Sequence, residues 1–465
     1  MPLLAAFTLP HPPLAIPAVG KGEEVKIQKT LDAFAEIAGQ IAKLKPETII
    51  FITPHNTSYA DYFHISPGSE ASGDFAKFNA RDVKIAKKYD QELASAVQTA
   101  ASDAGIMAGG AGERDKRLDH GVLVPMWYID KAYPDYMCVR ISQSGFSSKI
   151  HYKFGQCLNE AADKLNRRVV IVASGDLSHK LKEEGPYGFA KEGPEYDKRV
   201  TEILNEADFL SLLQIPESAL ESAAECGYRS YAVMAGCFDK KEVASKLISY
   251  EGPFGVGYAV SSFYPEGDRP SRNFFEQLEA IELDEARQRE EGEDAYRSLA
   301  RKSLEFRVKN GKALKLSKLE MDALPEEMTT ERAGVFVSLH LSGRLRGCIG
   351  TISPATGTIA EEIISNAVSA GMHDNRFTPV MADELKFLTY KVDVLKPAED
   401  ISDLTQLDPS RYGVIVSEGG KRGLLLPKLD GVDTAEKQIS IAMRKAGIKE
   451  GAKISLQRFE VVRHE

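Results

Sequence analysis

The chain has 465 residues, of which 43% are hydrophobic and 27% are charged, and this composition is typical of a globular protein. Since an average domain has roughly 100 to 200 residues, we expect two or three domains. The formal net charge of -9 and a pI near 5.7 argue against nucleic acid or an anionic membrane as a partner.

The cysteines and the hydropathy of the chain favour a cytoplasmic setting. The five cysteines are odd in number and widely spaced, and they contain no CxxC pair, which fits neither a disulfide framework nor a structural zinc site. The amino terminus lacks a basic segment, and no run approaches the ~18 apolar residues of a spanning helix. We therefore predict a soluble cytoplasmic protein, and the sequence leaves open whether it forms a homo-oligomer.

Strand, helix, strand is the recurring order in residues 1–264, and it indicates an α/β fold in which helices flank a central sheet. Apolar β-branched runs predict the strands, and apolar residues at helical spacing predict the helices. The predicted strands lie within residues 3–11, 49–53, 136–142, 169–173, 246–250 and 255–264, and the predicted helices are 26–44, 90–104, 150–165, 194–206 and 218–238. Glycine-rich turns predict that most of residues 59–119 forms loops above the sheet edge.

A change in composition between residues 265 and 292, where the chain becomes densely acidic, indicates a linker. Residues 293–465 are the second predicted domain, in which strands dominate. Its predicted elements are a helix over 295–309, strands over 334–341 and 346–352, a helix over 358–369, strands over 388–395, 413–418 and 423–426, and a helix over 435–446. This mixture predicts an α+β domain.

Four histidines of the first domain follow a predicted strand or stand beside a glycine: His11, His55, His120 and His179. Open α/β sheets bind ligands at the carboxyl ends of their strands, so we expect these side chains to meet at one rim. Taken singly, each could also be a hydrogen-bonded structural residue. His64 and His151 lack this context, and we expect them to be surface or packing residues.

Two histidines and one carboxylate can bind a divalent metal on one face and leave the opposite positions open for a substrate. We expect His11 and His55 to supply the imidazoles. Glu225 is the best candidate for the carboxylate, because a charge among the small residues around it is costly without a cation. The alternative for Glu225 is an ordinary solvated glutamate on a helix.

The other two histidines fit a different role. His120 and His179 would exchange protons with a substrate bound to the metal. Asp176, in the turn before His179, could orient that histidine, or it could only cap the turn.

The motifs HPP at His11, PH at His55, DHG at His120 and GDLSH at His179 occur in the order seen in class III extradiol ring-cleavage dioxygenases. Residues 1–264 therefore resemble their catalytic subunits of the protocatechuate 4,5-dioxygenase type, and the related Memo proteins. The resemblance implies that His11, His55 and Glu225 match the iron ligands and that His179 is the acid/base histidine. It implies that His120 lies on the substrate or oxygen side, with Fe(II) as the cofactor and an aromatic or heterocyclic small molecule as the substrate.

Cys226, next to Glu225, is similar to the cysteine that Memo proteins carry in this part of the site. A thiolate ligand would shift the metal preference toward zinc, copper or iron. Cys226 could instead be a small buried hydrophobe, the commoner fate of a cysteine. The choice between Glu225 and Cys226 as the third ligand stays open.

The motifs LRGCIG at 345–350, DNRFTP at 374–379 and YGV at 412–414 resemble the AMMECR family, which has a two-lobed α+β fold. The combination with a Memo-like domain is similar to the AmmeMemoRadiSam set, which implies a radical SAM protein as a partner. Among the residues of these motifs, Cys348 could be a nucleophile if Arg346 or another cation lowers its pKa. Alternatively, Cys348 packs in the core and Arg346 pairs with Asp374. Asp374 and Arg376 could also form a structural pair or the polar floor of a pocket.

These observations support three hypotheses of function. The first is a dioxygenase-like, non-haem iron enzyme that opens an aromatic ring with O2. The second is an oxygen-independent metal hydrolase or lyase, in which metal-bound water attacks a cyclic amide or ester. The third is a non-catalytic metal-binding scaffold that serves a radical SAM partner.

Overall fold

The computed structural model describes residues 2–341, 343–382, 384–429 and 431–465. The chain divides into two compact units, Met1–Ala280 and Ile281–Glu465. Across the described ranges, no helix combines the length and the hydropathy that a membrane span requires.

The first unit contains a large sheet, two small sheets and surrounding helices. Its strands are β1 (Leu3–Leu9), β2 (Thr48–Thr53), β3 (Phe63–His64), β4 (Glu70–Phe75), β5 (Ala80–Lys88), β6 (Ala108–Gly109), β7 (Met137–Ser142), β8 (Val169–Ser174), β9 (Lys241–Glu251) and β10 (Tyr258–Asp268). Its helices are α1 (Pro17–Gly20), α2 (Gln28–Leu44), α3 (Gln91–Asp103), α4 (His120–Ala132), α5 (Ser148–Leu165), α6 (Glu192–Glu206), α7 (Phe209–Leu213), α8 (Glu217–Ala223), α9 (Tyr228–Gly236) and α10 (Phe274–Glu291), the last of which continues past Ala280.

The large sheet has six strands in the order β7-β2-β8-β1-β10-β9. The first four are parallel, and β10 and β9 are antiparallel to their neighbours. Side chains alternate along β2, so Ile49 and Phe51 pack with α2 and α4, whereas Ile50 and Ile52 pack with α3, α5 and α9. Helices therefore cover both faces, and the predicted α/β fold with a central sheet is confirmed.

The strand order brings the predicted histidines to one edge. β2, β8 and β1 are adjacent and parallel, so their carboxyl ends lie side by side. His55 follows β2, His179 follows β8, and His11 follows β1. The arrangement is that of a ligand site at the carboxyl edge of an open α/β sheet.

Two predictions of local structure were wrong. The segment 59–119 contains the hairpin β4–β5, which is charged along its solvated face and therefore has little apolar signal. The predicted helix 218–238 is two helices, because Ala224 adopts a left-handed conformation with φ 52° and ends α8. The break matters because the segment between α8 and α9 contains Glu225 and Cys226.

The second unit is built from two four-stranded antiparallel sheets, ordered β12-β11-β13-β18 and β14-β17-β15-β16. Helices α11 and α14 pack on the first sheet and α15 packs on the second, so the predicted α+β fold is confirmed. The strands are β11 (Val335–Leu341), β12 (Arg344–Gly350), β13 (Leu388–Leu395), β14 (Glu399–Ile401), β15 (Gly413–Glu418), β16 (Lys421–Leu425), β17 (Ser455–Phe459) and β18 (Val461–His464). The helices are α11 (Ala295–Asn310), α12 (Lys318–Asp322), α13 (Glu326–Thr330), α14 (Ile359–Met372) and α15 (Ala435–Ala446).

Arg140 of β7 is fully buried and anchors the segment that precedes α4. Its Nε donates to Ser66 Oγ at 2.7 Å, and its Nη1 donates to the Arg117 carbonyl at 2.6 Å. The guanidinium lies 3.3 Å from the Glu113 carboxylate and 3.7 Å from the Asp119 carboxylate. This one cation therefore compensates two carboxylates that are themselves largely buried.

Replacing Arg140 by methionine is expected to lower the free energy of unfolding of the first unit by about 3 to 5 kcal/mol, because two carboxylates would lose their buried cation. Trp127 is the only tryptophan of the chain and lies in α4, so its fluorescence during urea denaturation reports on this unit.

Arg168→Met is the matched control for the Arg140 variant. Arg168 is about half exposed, and its nitrogen lies 3.8 Å from Glu47, so this surface pair should contribute no more than about 1 kcal/mol. Equal losses of stability in the two variants would contradict the structural role of Arg140.

Candidate metal centre

His11 is held in one tautomer by its neighbours. Its Nδ1 lies 2.9 Å from Ser174 Oγ, and the Ser174 hydroxyl donates to the Gly121 carbonyl at 2.5 Å. Because a hydroxyl has only one proton, Ser174 accepts from Nδ1–H, and Nε2 of His11 keeps its lone pair. The His11 side chain is buried, and its backbone N–H donates to Asp176 Oδ1 at 2.8 Å. Nε2 is therefore a preorganised donor atom for a metal ion.

His55 and His120 form a cluster of three imidazole rings with His11. Nε2 of His55 lies 2.9 Å from Nε2 of His11. The rings of His55 and His120 stack with their centroids 4.1 Å apart, and the His120 ring centroid lies 5.4 Å from that of His11. The Thr53 hydroxyl accepts from the His55 backbone N–H and donates to Asp119 at 2.6 Å, which joins the end of β2 to the start of α4.

Cys226 approaches the same point from the segment between α8 and α9. Its Sγ lies 3.6 Å from Nε2 of His11 and accepts from the Asp176 backbone N–H at 3.3 Å. A pair of glycines permits this approach, since a Cβ on Gly175 would lie only 2.0 Å from Cα of Gly227. The end of β8 can lie this close to the Cys226 segment only because position 175 has no side chain.

Among the residues that the structure describes, two groups of donor atoms lie close enough together to hold a metal ion. His11, His55 and Cys226 form the first group, and Asp176, His179 and Cys226 form the second. Within each group the donor atoms lie within 4.8 Å of one another. Imidazole nitrogen and thiolate sulfur suit iron, zinc and copper, so the donor set fits the divalent metal predicted from the strand-end histidines.

The Glu225 carboxylate lies outside both donor groups. Its Oε2 accepts from the backbone N–H of Tyr228 at 2.6 Å, in the first turn of α9. A carboxylate in this position compensates the free N–H groups and the positive end of the helix dipole. Of the two open candidates for a third ligand, Cys226 thus lies with the histidines, whereas Glu225 faces the helix terminus.

Burial controls the protonation of these groups. It lowers the pKa of His11 well below its ordinary value and lowers the pKa of His120 to about 4. Burial and the neighbouring His120 lower the pKa of His55 to about 4, while burial raises the pKa of Cys226 well above its ordinary value. At neutral pH the free imidazoles are neutral and the thiol keeps its proton, so metal binding would release a proton from Cys226.

His179 and Asp176 lie at the end of β8, on the second donor group. Burial lowers the pKa of His179 and raises the pKa of Asp176 to about 7. The His179 ring stacks on Tyr187, with the ring centroids 5.2 Å apart. Near neutral pH, Asp176 can therefore hold or release a proton, and His179 is a neutral proton acceptor, beside the first donor group.

Asp197 of α6 supports the turn that carries His179, although the sequence analysis did not single it out. It is fully buried, and its Oδ1 accepts from the Ser178 backbone N–H at 2.7 Å. Its Oδ2 accepts from the Tyr250 hydroxyl at 2.7 Å, and burial raises the Asp197 pKa to about 7. An aspartate in an ordinary helical pattern carries no local signal for this role, whereas Ser174 stands inside the β8 motif and could have been found.

A cleft of about 320 Å³ opens beside His55 and His120. Phe78, in the turn between β4 and β5, lines it with its ring centroid 5.4 Å from that of His120. Lys77 is exposed at the same turn, and Leu118 and Leu123 add apolar surface. The cleft thus presents an aromatic wall next to the histidine cluster, and its charged lining combines the cations Lys77 and Arg117 with the carboxylates of Asp74, Asp115 and Asp119.

The remaining histidines of this unit pack in its interior. His64 and His151 are fully buried, and the His151 ring lies edge-on to Phe63 with the centroids 4.8 Å apart. Neither histidine belongs to a donor group within the part of the chain that is described. Of the two alternatives left open for them, packing is correct and surface exposure is wrong.

The site residues predicted for the second domain lie around β12. Asp374 Oδ2 accepts from the Cys348 backbone N–H at 2.9 Å and forms an ion pair with Arg376 at 2.6 Å. Arg346 forms a two-pronged ion pair with Glu384, at 2.7 and 3.0 Å, so the alternative pairing of Arg346 with Asp374 is wrong. A nucleophilic role for Cys348 stays a prediction.

Comparison with known proteins covers both units. Residues 5–261 match the family model described as the catalytic LigB subunit of aromatic ring-opening dioxygenase, and residues 297–464 match AMMECR1. A protein of Clostridium acetobutylicum is 40% identical over 472 residues, and the match spans 100% of both chains. A protein of Thermotoga maritima is 45% identical over 176 residues, which are 37% of this chain and 99% of its own.

Two solved structures also resemble parts of the chain. An uncharacterized protein from Pyrococcus horikoshii has 30% sequence identity and a TM-score of 0.33, and the match covers 36% of this chain and 88% of that one. An uncharacterized protein from Escherichia coli K12 has 15% identity and a TM-score of 0.36, and the match covers 56% of this chain and 99% of that one.

Asp197→Asn is expected to remove one contribution to the pH dependence of stability of the first unit. The Asp197 pKa is about 7 in the folded chain against an ordinary value of 3.8, so between these values only the folded state keeps the proton. The contribution of Asp197 to stability therefore falls as pH rises through this window. Asparagine keeps the shape, can accept from Ser178 and donate to Tyr250, and cannot ionise.

Urea denaturation followed by Trp127 fluorescence, at about pH 5 and about pH 8, measures the effect of the Asp197 substitution. We expect the stability of the native protein to fall, relative to that of the variant, from the lower to the higher pH. Parallel changes in the two proteins would contradict a buried carboxyl that is protonated near neutrality.

Proposed function

The chain belongs to the family of the catalytic LigB subunit of aromatic ring-opening dioxygenase, followed by an AMMECR1 domain, and from this premise we propose that its first unit is a metal-dependent enzyme. Its substrate would be an aromatic or heterocyclic small molecule that reacts with O2. The observation that carries the proposal is the first donor group, in which His11, His55 and Cys226 converge within 4.8 Å.

His11, His55 and Cys226 would hold one divalent ion, with iron as the preferred metal and zinc or copper as the other ions that suit these donors. Bound Fe(II) would supply the capacity to bring O2 and a chelating ring substrate into reaction. Ser174 keeps Nε2 of His11 available for the ion by accepting from Nδ1–H.

The cleft beside the cluster supplies the binding surface for the substrate. Phe78 offers an aromatic face to a planar ring, and Leu118 and Leu123 exclude water from it. His120 borders the cleft and is neutral near pH 7, so it can accept a proton from an acidic hydroxyl of the substrate.

His179 serves as the second proton-handling group. His179 belongs to the second donor group, which has Cys226 in common with the first, and burial lowers the pKa of His179. A neutral imidazole in this position can take a proton early in a reaction and return it later. Asp197 acts on His179 only through the turn that it fixes, as a positioning residue.

A second candidate function keeps the metal and omits O2. The presence of the Cys226 thiol in the donor group favours it, because a thiol is readily oxidised and is a common ligand in metal sites without redox chemistry. In this case the first unit would be a hydrolase or lyase that acts on a cyclic amide or ester, with His120 or His179 deprotonating the attacking water.

His11→Ala, His55→Ala and Cys226→Ser are each expected to lose most of the bound metal, measured by elemental analysis of anaerobically purified protein. Removing a residue that only hydrogen-bonds a metal ligand lowers metal affinity by about 10- to 100-fold, and removing a ligand itself should lower it further. Near-ultraviolet circular dichroism checks that each variant is folded.

Glu225→Gln is the matched control for the ligand variants, because glutamine still offers an oxygen to the Tyr228 N–H. We expect this variant to keep its metal. Loss of metal from Glu225→Gln, together with retention by Cys226→Ser, would assign the third ligand to Glu225. Retention of metal by all four variants would rule out the site.

With catechol as the probe, the iron-loaded protein is expected to consume O2 and ring substrate in equal amounts, and anoxia should stop the reaction. His179→Gln should keep the metal but lower kcat by about 10²- to 10⁴-fold, as expected for a lost general acid or base. Turnover of a lactone probe under anoxia would instead support the second candidate. Metal binding without turnover of either probe would contradict both enzymatic functions.

A further inference from the structure

We propose that the second unit contains a binding site for a small organic phosphate, separate from the metal centre. The site is a cleft of about 250 Å³ lined by residues of both sheets of this unit. Ile352 and Leu395 come from the ends of the β12 and β13 segments, and Ile415 and Phe459 come from β15 and β17. Its size suits a small molecule rather than a polymer.

The lining of this cleft carries three cations and no carboxylate among the residues described. Arg332, Lys396 and Arg422 are exposed, and none of them forms an ion pair within the described part of the chain. By contrast, two arginines of the neighbouring strands are neutralised: Arg458 lies 3.1 Å from Glu399, and Arg463 lies 2.7 Å from Asp393. The positive charge of the cleft is thus left uncompensated on a chain whose formal net charge is -9.

The hydrogen bonds of the two arginines leave donors free for a ligand. Nε of Arg332 donates to the Thr356 carbonyl at 3.0 Å. Arg422 makes long contacts, at 3.5 Å to Ser353 Oγ and at 3.3 Å to Gln457 Oε1. A guanidinium has five N–H donors in a planar fork that matches the oxygens of a phosphate or a carboxylate.

The number of cations favours phosphate over carboxylate. Three positive charges that line one cleft repel one another, and a phosphate monoester, which carries nearly two negative charges at neutral pH, compensates more of this charge than a carboxylate does. The base of the cleft is apolar, since Leu395, Ile415 and Phe459 are buried side chains. The ligand should therefore combine a phosphate group with a small apolar or aromatic part.

Isothermal titration calorimetry of the full chain with phenyl phosphate tests this proposal, and inorganic phosphate, benzoate and phenol are the comparison ligands. We expect phenyl phosphate to bind most tightly and its binding to weaken as salt is added. Arg422→Gln and Lys396→Gln should each weaken binding by about tenfold or more, because each removes a charge-assisted contact.

Arg444→Gln is the matched control, because Arg444 is exposed on α15 and does not line the cleft. It should leave binding unchanged, and so should His11→Ala, since the site is independent of the metal centre. Circular dichroism checks the folding of each variant, and Arg422→Lys, which keeps the charge, should recover part of the affinity.

Three kinds of result would overturn the proposal. The first is failure of the binding test itself: phenyl phosphate does not bind, or Arg422→Gln and Arg444→Gln lose the same affinity for it. The second is benzoate binding as tightly as phenyl phosphate with the same dependence on Arg422, which would make the ligand a carboxylate. The third is inorganic phosphate binding as tightly as phenyl phosphate, which would remove any role for the apolar base.

Discussion

The close contact between the Gly175 and Gly227 backbones is the constraint on which the candidate metal centre depends. A Cβ on Gly175 would lie 2.0 Å from Cα of Gly227, so the end of β8 can touch the segment before α9 only because position 175 has no side chain. The contact is reinforced by Tyr231, whose hydroxyl donates to the Gly175 carbonyl at 2.7 Å. It brings Cys226 to the strand edge where the histidines meet.

The histidines could be predicted from the sequence because their signal is local. Each of His11, His55 and His179 follows an apolar run that reads as a buried strand, and adjacent parallel strands must end at the same edge. The fold class was equally accessible, since the strand–helix alternation and the later run of strands are visible in periodicity. These predictions needed only short stretches of chain and a general rule about sheets.

The rest depended on contacts that no short stretch contains. Cys226, and not Glu225, lies with the histidines, in the segment that follows the left-handed residue Ala224 at the end of α8. Asp197 supports His179 from a different helix, and nothing in its own sequence neighbourhood distinguishes it. The hairpin β4–β5, which carries Phe78 in its turn, was missed because the many charged residues on its solvated face leave little of the apolar–polar alternation that identifies a strand.

The hydroxyl of Ser174 has a wider consequence for how this centre works. It bridges Nδ1 of His11 and the carbonyl of Gly121, the residue after His120. One hydrogen-bonded connection therefore joins His11, after the end of β1, to the first turn of α4, which carries His120. The His11 ring cannot be reoriented without breaking this connection. The reorganisation energy for loading an ion is therefore kept small, because the ring orientation and the tautomer are set during folding rather than at the moment of binding.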